Sequence, residues 1–211
     1  MAKRKGTAAA PTTKREAILE AALEVFLESG YAAANMDVLA ARAGVSKATI
    51  YAYFKGKDEL FGELIRGRCE SCFGPIVAPE VQVQDEAAVK AALRQLALNF
   101  WAMVTTPEAL GAYRIVVAEA PRFPEVGQAF YQTGPAKGLE ALRGFFADLD
   151  HRGLLAVPNA RLAAEFFVGL LRSDLYLKRL LGLDDGGRSV EAMVDAAVEL
   201  LYRAYAPPAK G

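Results

Sequence analysis

Residues 35–57, NMDVLAARAGVSKATIYAYFKGK, decide how this chain is read. Asn35 is a good helix N-cap, because its side-chain oxygen can accept a free backbone N–H. Met36, Leu39 and Ala40 then give an apolar face at helical spacing. Gly44 ends that helix as a C-terminal glycine tolerant of a left-handed backbone. Val45 fills the turn, and Ser46 caps a second helix of about two turns, Lys47 to Phe54. The second helix splits by face: Ile50 and Phe54 point inward, leaving Lys47, Ala48, Thr49, Tyr51 and Tyr53 outside. Lysine, threonine and two tyrosines each carry a donor suited to a phosphate backbone. The small Ala48 lets the helix axis approach base edges. The pattern is a helix-turn-helix with Lys47–Phe54 as recognition helix.

Asp37, Ala40, Ala43-Gly44-Val45-Ser46-Lys47, Thr49-Ile50-Tyr51, Tyr53-Phe54 and Lys57-Asp58-Glu59-Leu60 together form a long run of fixed positions. This run, from roughly Lys14 to Phe61, resembles the signature of the TetR family of transcriptional repressors. The resemblance implies double-stranded operator DNA as partner, bound by a homodimer. Position by position, it supports base-edge or adjacent phosphate contact for Lys47 and Thr49, and backbone positioning for Asn35, Tyr51, Tyr53 and Lys57; Ser46 and Ala48 are further DNA-binding candidates at the start of the same helix. Ala48 is a departure, standing where the family commonly has glycine or proline.

The rest of the chain is expected to be all-α, giving about nine helices in total: a three-helix N-terminal head and a larger helical body. The expected divisions are a disordered basic arm at 1–11, the helix-turn-helix domain at 12–56, a ligand-binding and dimerisation domain at 57–206, and a tail at 207–211. Thr13-Lys14-Arg15-Glu16 is a capping box that opens a helix running to Ser29, closed by Gly30. A helix over 57–73 should join head to body. Asp85 caps the next, to about Thr105, and Pro107 starts one over 108–119. Pro124 to about Leu149 should be one helix bent at Gly134-Pro135. Asn159 and Ser189 cap the last two, 160–181 and 190–205.

Those two C-terminal helices are strongly apolar and would leave a patch on a monomer, so they are expected to pair with a second copy. A more local resemblance supports a regulatory body. The run Ala118-Glu119-Ala120-Pro121-Arg122-Phe123-Pro124-Glu125, then Phe130-Tyr131, Gly134-Pro135 and Ala163 through Leu171, is similar to the C-terminal domain of AefR-like TetR members. It implies a ligand-responsive repressor. Phe100, Trp101, Val104, Tyr113, Val117, Phe123, Phe130, Tyr131 and Phe166 lie on helices that should pack together. They are the expected lining of a cavity for an apolar or aromatic effector, with Arg114 and Glu119 as polar groups.

Composition sets the outer bounds. The chain has 211 residues, 53% of them apolar, and a formal net charge of zero. Overall charge therefore gives no sign of a nucleic-acid partner, although Lys3, Arg4, Lys5, Lys14 and Arg15 make residues 1–15 basic without an acid. No apolar run approaches the roughly 18 residues of a membrane span, and Lys3-Arg4-Lys5 precedes no long apolar stretch, so a cytoplasmic protein is expected. Cys69 and Cys72 form a Cys-x-x-Cys with no second cysteine pair, and His151 is the lone histidine. No zinc site, phosphate loop or catalytic constellation is assembled, so no cofactor or enzyme activity is expected. Two alternatives accompany the repressor reading: a redox-sensing repressor using Cys69 and Cys72, and a DNA binder blind to sequence.

Overall fold

A computed structural model describes residues 13–64 and 83–208. The expectations for the arm at 1–11, for residues 65–73 of the joining helix, and for Cys69 and Cys72 lie outside these residues. So does the end of the tail, 209–211.

The described residues are helical throughout, with no strand. In chain order the elements are α1 (Lys14–Ala33), α2 (Met36–Ala43), α3 (Lys47–Tyr53), α4 (57–64), α5 (Glu86–Val104) and α6 (Pro107–Glu119). They continue with α7 (Pro124–Thr133), α8 (Pro135–His151), α9 (Ala160–Leu171), α10 (Asp174–Leu181) and α11 (Val190–Tyr205). None is long and apolar enough to cross a membrane.

Local signals set most of the ends. Thr13 and Glu16 form the reciprocal capping box at the start of α1. Asp85, Asn159 and Ser189 each accept a backbone N–H with their side chains, closing the first turns of α5, α9 and α11. Gly30 takes φ 76°, ψ 170° inside α1, a region open essentially to glycine alone, and the kink turns Tyr31 into the core.

Two spans read as single helices are each two. At 124–149, Gly134 leaves helical geometry at φ −113°, ψ −88° and Pro135 opens α8, so the expected bend is a break. At 160–181, Arg172 (φ −84°, ψ 44°) ends α9 and Ser173 starts α10 with an extended backbone. Ser173 O then accepts from the N–H groups of Tyr176 and Leu177. This break lets Leu175 and Tyr176 turn toward Trp101 and Leu110, forming a small separate cluster.

Two larger cores organise the molecule. The first joins Ile18, Ala22, Val25, Phe26, Leu39, Ile50, Phe54, Leu60 and Phe61 of α1–α4 with Ala112, Val116 and Val126 of α6 and α7. Phe26, Tyr31 and Phe61 meet there ring to ring at 5.5–6.1 Å, the quadrupole-favoured separation. The second packs α5, α8, α9 and α11 through Leu93, Leu96, Phe146, Leu149, Phe167, Val198 and their neighbours. Lys90–Glu199 at 2.9 Å and Arg94–Asp195 at 2.7 Å tie α5 to α11 at its edge. Each fully buried large apolar side chain contributes about 1.5–3 kcal/mol, far more than such exposed ion pairs. α6 and α7 therefore belong partly to the head's core, although they lie in the body by sequence.

Candidate functional site

The turn between α2 and α3 is built as its residues require. Asn35 Oδ1 accepts from Asp37 N at 2.7 Å at the start of α2. Gly44 sits at φ 66°, ψ 29°, and its N–H and that of Val45 return to the last carbonyls of α2. Ser46 Oγ accepts from Thr49 N at 3.1 Å and lies 2.8 Å from Thr49 Oγ1. Ile50 and Phe54 anchor α3 in the head core, at 0% and 2% exposure. The opposite face holds Ser46, Lys47, Ala48, Tyr51 and Tyr53, all exposed, with Thr49 half-buried beside them. Tyr51 and Tyr53 are 48% and 47% exposed on this seven-residue helix, and their hydroxyls suit phosphate oxygens. Lys47 Nζ lies 3.0 Å from Asp37 Oδ2 across the turn. The pair is exposed and hence weak, so the Lys47 ammonium can exchange partners at little cost.

Lys57 has partners within the protein itself. Its ammonium donates to Tyr31 O at 2.9 Å, Ala32 O at 3.2 Å and Ala34 O at 3.2 Å, and stands 4.9 Å from the Tyr31 ring centre. All three donors are engaged at the C-terminus of α1, where no basic residue of α1's own last turn is available. Lys57 thereby fastens α4 to α1. Arg15 and Glu63 add an ion pair between the same helices.

A cavity of about 290 Å³ opens in the body between α5, α6, α7, α8 and α9–α10. Phe100, Val104, Tyr113, Phe130 and Tyr131 line it, with Met103, Ala109, Gly134, Pro135, Gly138, Leu139, Val168, Arg172 and Tyr176 completing the wall. Tyr113 meets Phe130 at 5.7 Å and Tyr176 at 6.4 Å, so three helices close one aromatic corner. Burial pushes the Tyr176 phenol up from its ordinary value, with the nearby Arg172 charge opposing this.

The other expected lining residues lie elsewhere. Trp101 is buried against Tyr176 and Leu175, with the Arg179 guanidinium 5.4 Å from its ring centre, outside the cavity wall. Arg114 donates to Leu180 O at 2.7 Å and Arg179 O at 3.3 Å, capping α10 instead of meeting a ligand. Val117 and Phe166 are 59% and 56% exposed on the outer surface. Glu119 and Phe123, the remaining candidates, lie toward the head: Glu119 near Gly30, and Phe123 5.8 Å from the Tyr31 ring.

Sequence reasoning missed Arg172, Tyr176, Met103, Leu139 and Val168. A signal existed for Arg172: it is the cation that ends the apolar run Phe166–Leu171.

Comparison with known proteins agrees with this geometry. Residues 18–64 match the model of bacterial regulatory proteins of the tetR family. Residues 91–207 match the C-terminal domain of AefR-like transcriptional repressors. The HTH-type transcriptional regulator YhgD of Bacillus subtilis (strain 168) is 49% identical over 51 residues, 24% of this chain and 27% of that protein. The chain thus matches about a quarter of that relative's length. Among solved structures, the flavonoid-responsive regulator FrrA is 32% identical, with 93% of this chain and 98% of that one covered at a TM-score of 0.72. A TetR-family transcriptional regulator from Mesorhizobium loti MAFF303099 is 29% identical, with 91% and 96% covered at a TM-score of 0.76.

Proposed function

The chain belongs to the TetR family of transcriptional regulators, and from that premise we propose that it is a cytoplasmic, homodimeric, ligand-responsive repressor of a palindromic operator. Two copies of α3 enter successive major grooves about 34 Å apart. Lys47 and Thr49 reach base edges or the adjacent phosphates, and Asn35, Tyr51 and Tyr53 position the backbone, with Ser46 and Ala48 at the close approach. Exposed Leu162 and Phe166 on α9 and Leu200 on α11 support pairing of 160–181 and 190–205 with a second copy.

One observation carries the ligand-responsive reading: the cavity and the DNA-binding head share walls. On α6, Ala109 and Tyr113 line the cavity while Ala112 and Val116 lie in the head's core. On α7, Tyr131 lines the cavity, Val126 lies in the head's core, and Phe130 meets both. A small molecule that moves Tyr113 or Phe130 thereby moves the support of α1–α4. The flavonoid-responsive relative supports an effector of small-molecule size.

The test is selection of bound fragments from the source genome, followed by titration of the selected site at two salt concentrations. A palindromic consensus bound by two copies is the expected result. Equal affinity for scrambled duplex would refute the operator reading, and a single copy per site would refute the dimer.

A further inference from the structure

The cavity wall is apolar but for one charge. Phe100, Met103, Val104, Leu139 and Val168 form its greater part, and Arg172 is the charged residue among those lining it. Arg172 is the C-cap of α9 where the chain breaks toward α10, and its side chain lies at the cavity beside Tyr176 of α10. The guanidinium carbon stands 5.6 Å from the Tyr113 ring centre and 5.7 Å from that of Tyr176. Its Nε is buried without a hydrogen-bond partner, and among the described residues no carboxylate pairs with the guanidinium. The contrast with other arginines of the body is informative. Arg94, Arg143, Arg152, Arg179 and Arg188 each meet an aspartate or glutamate. A planar cation beside two rings, with its Nε–H buried and unmatched, is pre-arranged for a planar anion.

Resting on the ligand-responsive reading above, we propose that the effector is an amphipathic carboxylic acid, its carboxylate on Arg172 and its apolar body against Phe100, Val104, Leu139 and Val168. Size narrows the class. A cavity of about 290 Å³ holds roughly ten waters' worth of volume, which suits a ligand of about a dozen non-hydrogen atoms. Medium-chain alkanoates and short-chain aryl alkanoates both meet this description, and they share the chemistry that Arg172 selects. Neutral alcohols of equal length fill the same space but leave the guanidinium unmatched.

The experiment is calorimetric titration of the full chain with decanoate, 4-phenylbutyrate and decan-1-ol, repeated on Arg172→Met and Arg172→Lys. Wild type should bind at least one acid about 10- to 100-fold more tightly than decan-1-ol. Arg172→Met should lose that preference while keeping decan-1-ol binding, and the retained alcohol binding shows that its cavity still forms. Should Arg172→Met not fold, Arg172→Lys carries the test, expected to keep the sign of the preference at reduced size. The stronger acid identifies the alkyl or aryl source. Equal affinity of wild type for acid and alcohol, binding of neither acid, or an acid preference surviving in Arg172→Met would overturn the inference. Titrating the preferred acid into the protein–operator complex separates the two readings. An acid that binds through Arg172 without releasing DNA upholds this site and overturns the ligand-responsive repressor.

Discussion

Replacing Lys57 by Met distinguishes two roles for one ammonium group. Methionine keeps an unbranched stem of similar length, so the change removes little but the charge and its donors. In the structure those donors meet three carbonyls at 2.9, 3.2 and 3.2 Å, all in the last turn and cap of α1. A hydrogen bond to a charged group is worth about 1.5–3 kcal/mol, and a cation at a helix C-terminus about 0.3–1 kcal/mol. Lys57 is half-buried and water can reach Ala32 O, so the sum is far below three full bonds. About 2 kcal/mol is expected, which lowers Tm by about 4–8 °C in a chain of this size. Thermal unfolding followed by circular dichroism measures it. Operator affinity should be little changed at temperatures where the head remains folded, and the slope of log affinity against log salt should be unaltered. A variant with wild-type Tm whose slope is shallower by about one would restore the phosphate contact and refute the capping role.

Changes at three further positions test the head. Gly30→Ala forces an alanine to φ 76°, ψ 170°, so a loss of about 1–3 kcal/mol in denaturant unfolding is expected, and an unchanged midpoint would contradict the kink. Ser46→Ala removes the cap of α3 and should cost about 1 kcal/mol; Ser46→Asp should restore stability yet weaken operator binding by repelling phosphate, and wild-type DNA affinity in Ser46→Asp would show that this position does not face DNA. The Tyr31 phenol is pushed up to about 12 from 10.0, by burial first and then by the Asp58 and Glu125 carboxylates. Above pH 10 the unfolded chain releases this proton while the folded one holds it, so stability falls as pH rises toward 12, by about 2–3 kcal/mol at most. Tyr31→Phe should lack that part of the alkaline loss; equal losses in both proteins would place the titration elsewhere.

The head was legible because its signals are local. Asn35, Gly44 and Ser46 each act on backbone groups within a few residues, and the spacing of Leu39, Ile50 and Phe54 fixes the buried faces. The body was less so, because there the faces are chosen by distant partners. Phe100 and Trp101 are adjacent and both buried, yet one lines the cavity and the other packs under α10. Phe166 and Phe167 divide the same way, the first outward and the second into the core. No residue type at Arg172-Ser173 demands a break, since apolar spacing continues from Leu171 to Leu175; tertiary packing of Leu175 and Tyr176 decides it. Lys57 depends on a distant partner in the same way. A lysine opposing its own helix dipole does have a compensating partner, but the partner is the C-terminus of another helix.

The size of the cavity constrains how the proposed switch can work. Moving a two-state equilibrium from 1:99 to 99:1 takes about 5.5 kcal/mol of differential affinity. A ligand of about a dozen non-hydrogen atoms, at about 0.5–1 kcal/mol per atom, binds with about 6–12 kcal/mol. Roughly half or more of that energy must therefore be missing in the DNA-competent state. A single altered contact is too small; a wall must move. α6 is the wall best placed to do so. Ala109 and Tyr113 line the cavity, Ala112 and Val116 pack in the head, and Arg114 holds the C-terminus of α10. At Gly111 the Leu27 side chain of α1 lies over α6, so that a Cβ there would stand 2.3 Å from Leu27 Cδ2. A shift of α6 is felt by α1 chiefly through the buried contacts of Ala112 and Val116 with the head's core, because close-packed contacts forfeit much of their attraction over a fraction of an ångström. Displacement at Tyr113 is thus passed to α1, and through the Lys57 cap to α4, which fixes where α3 is presented.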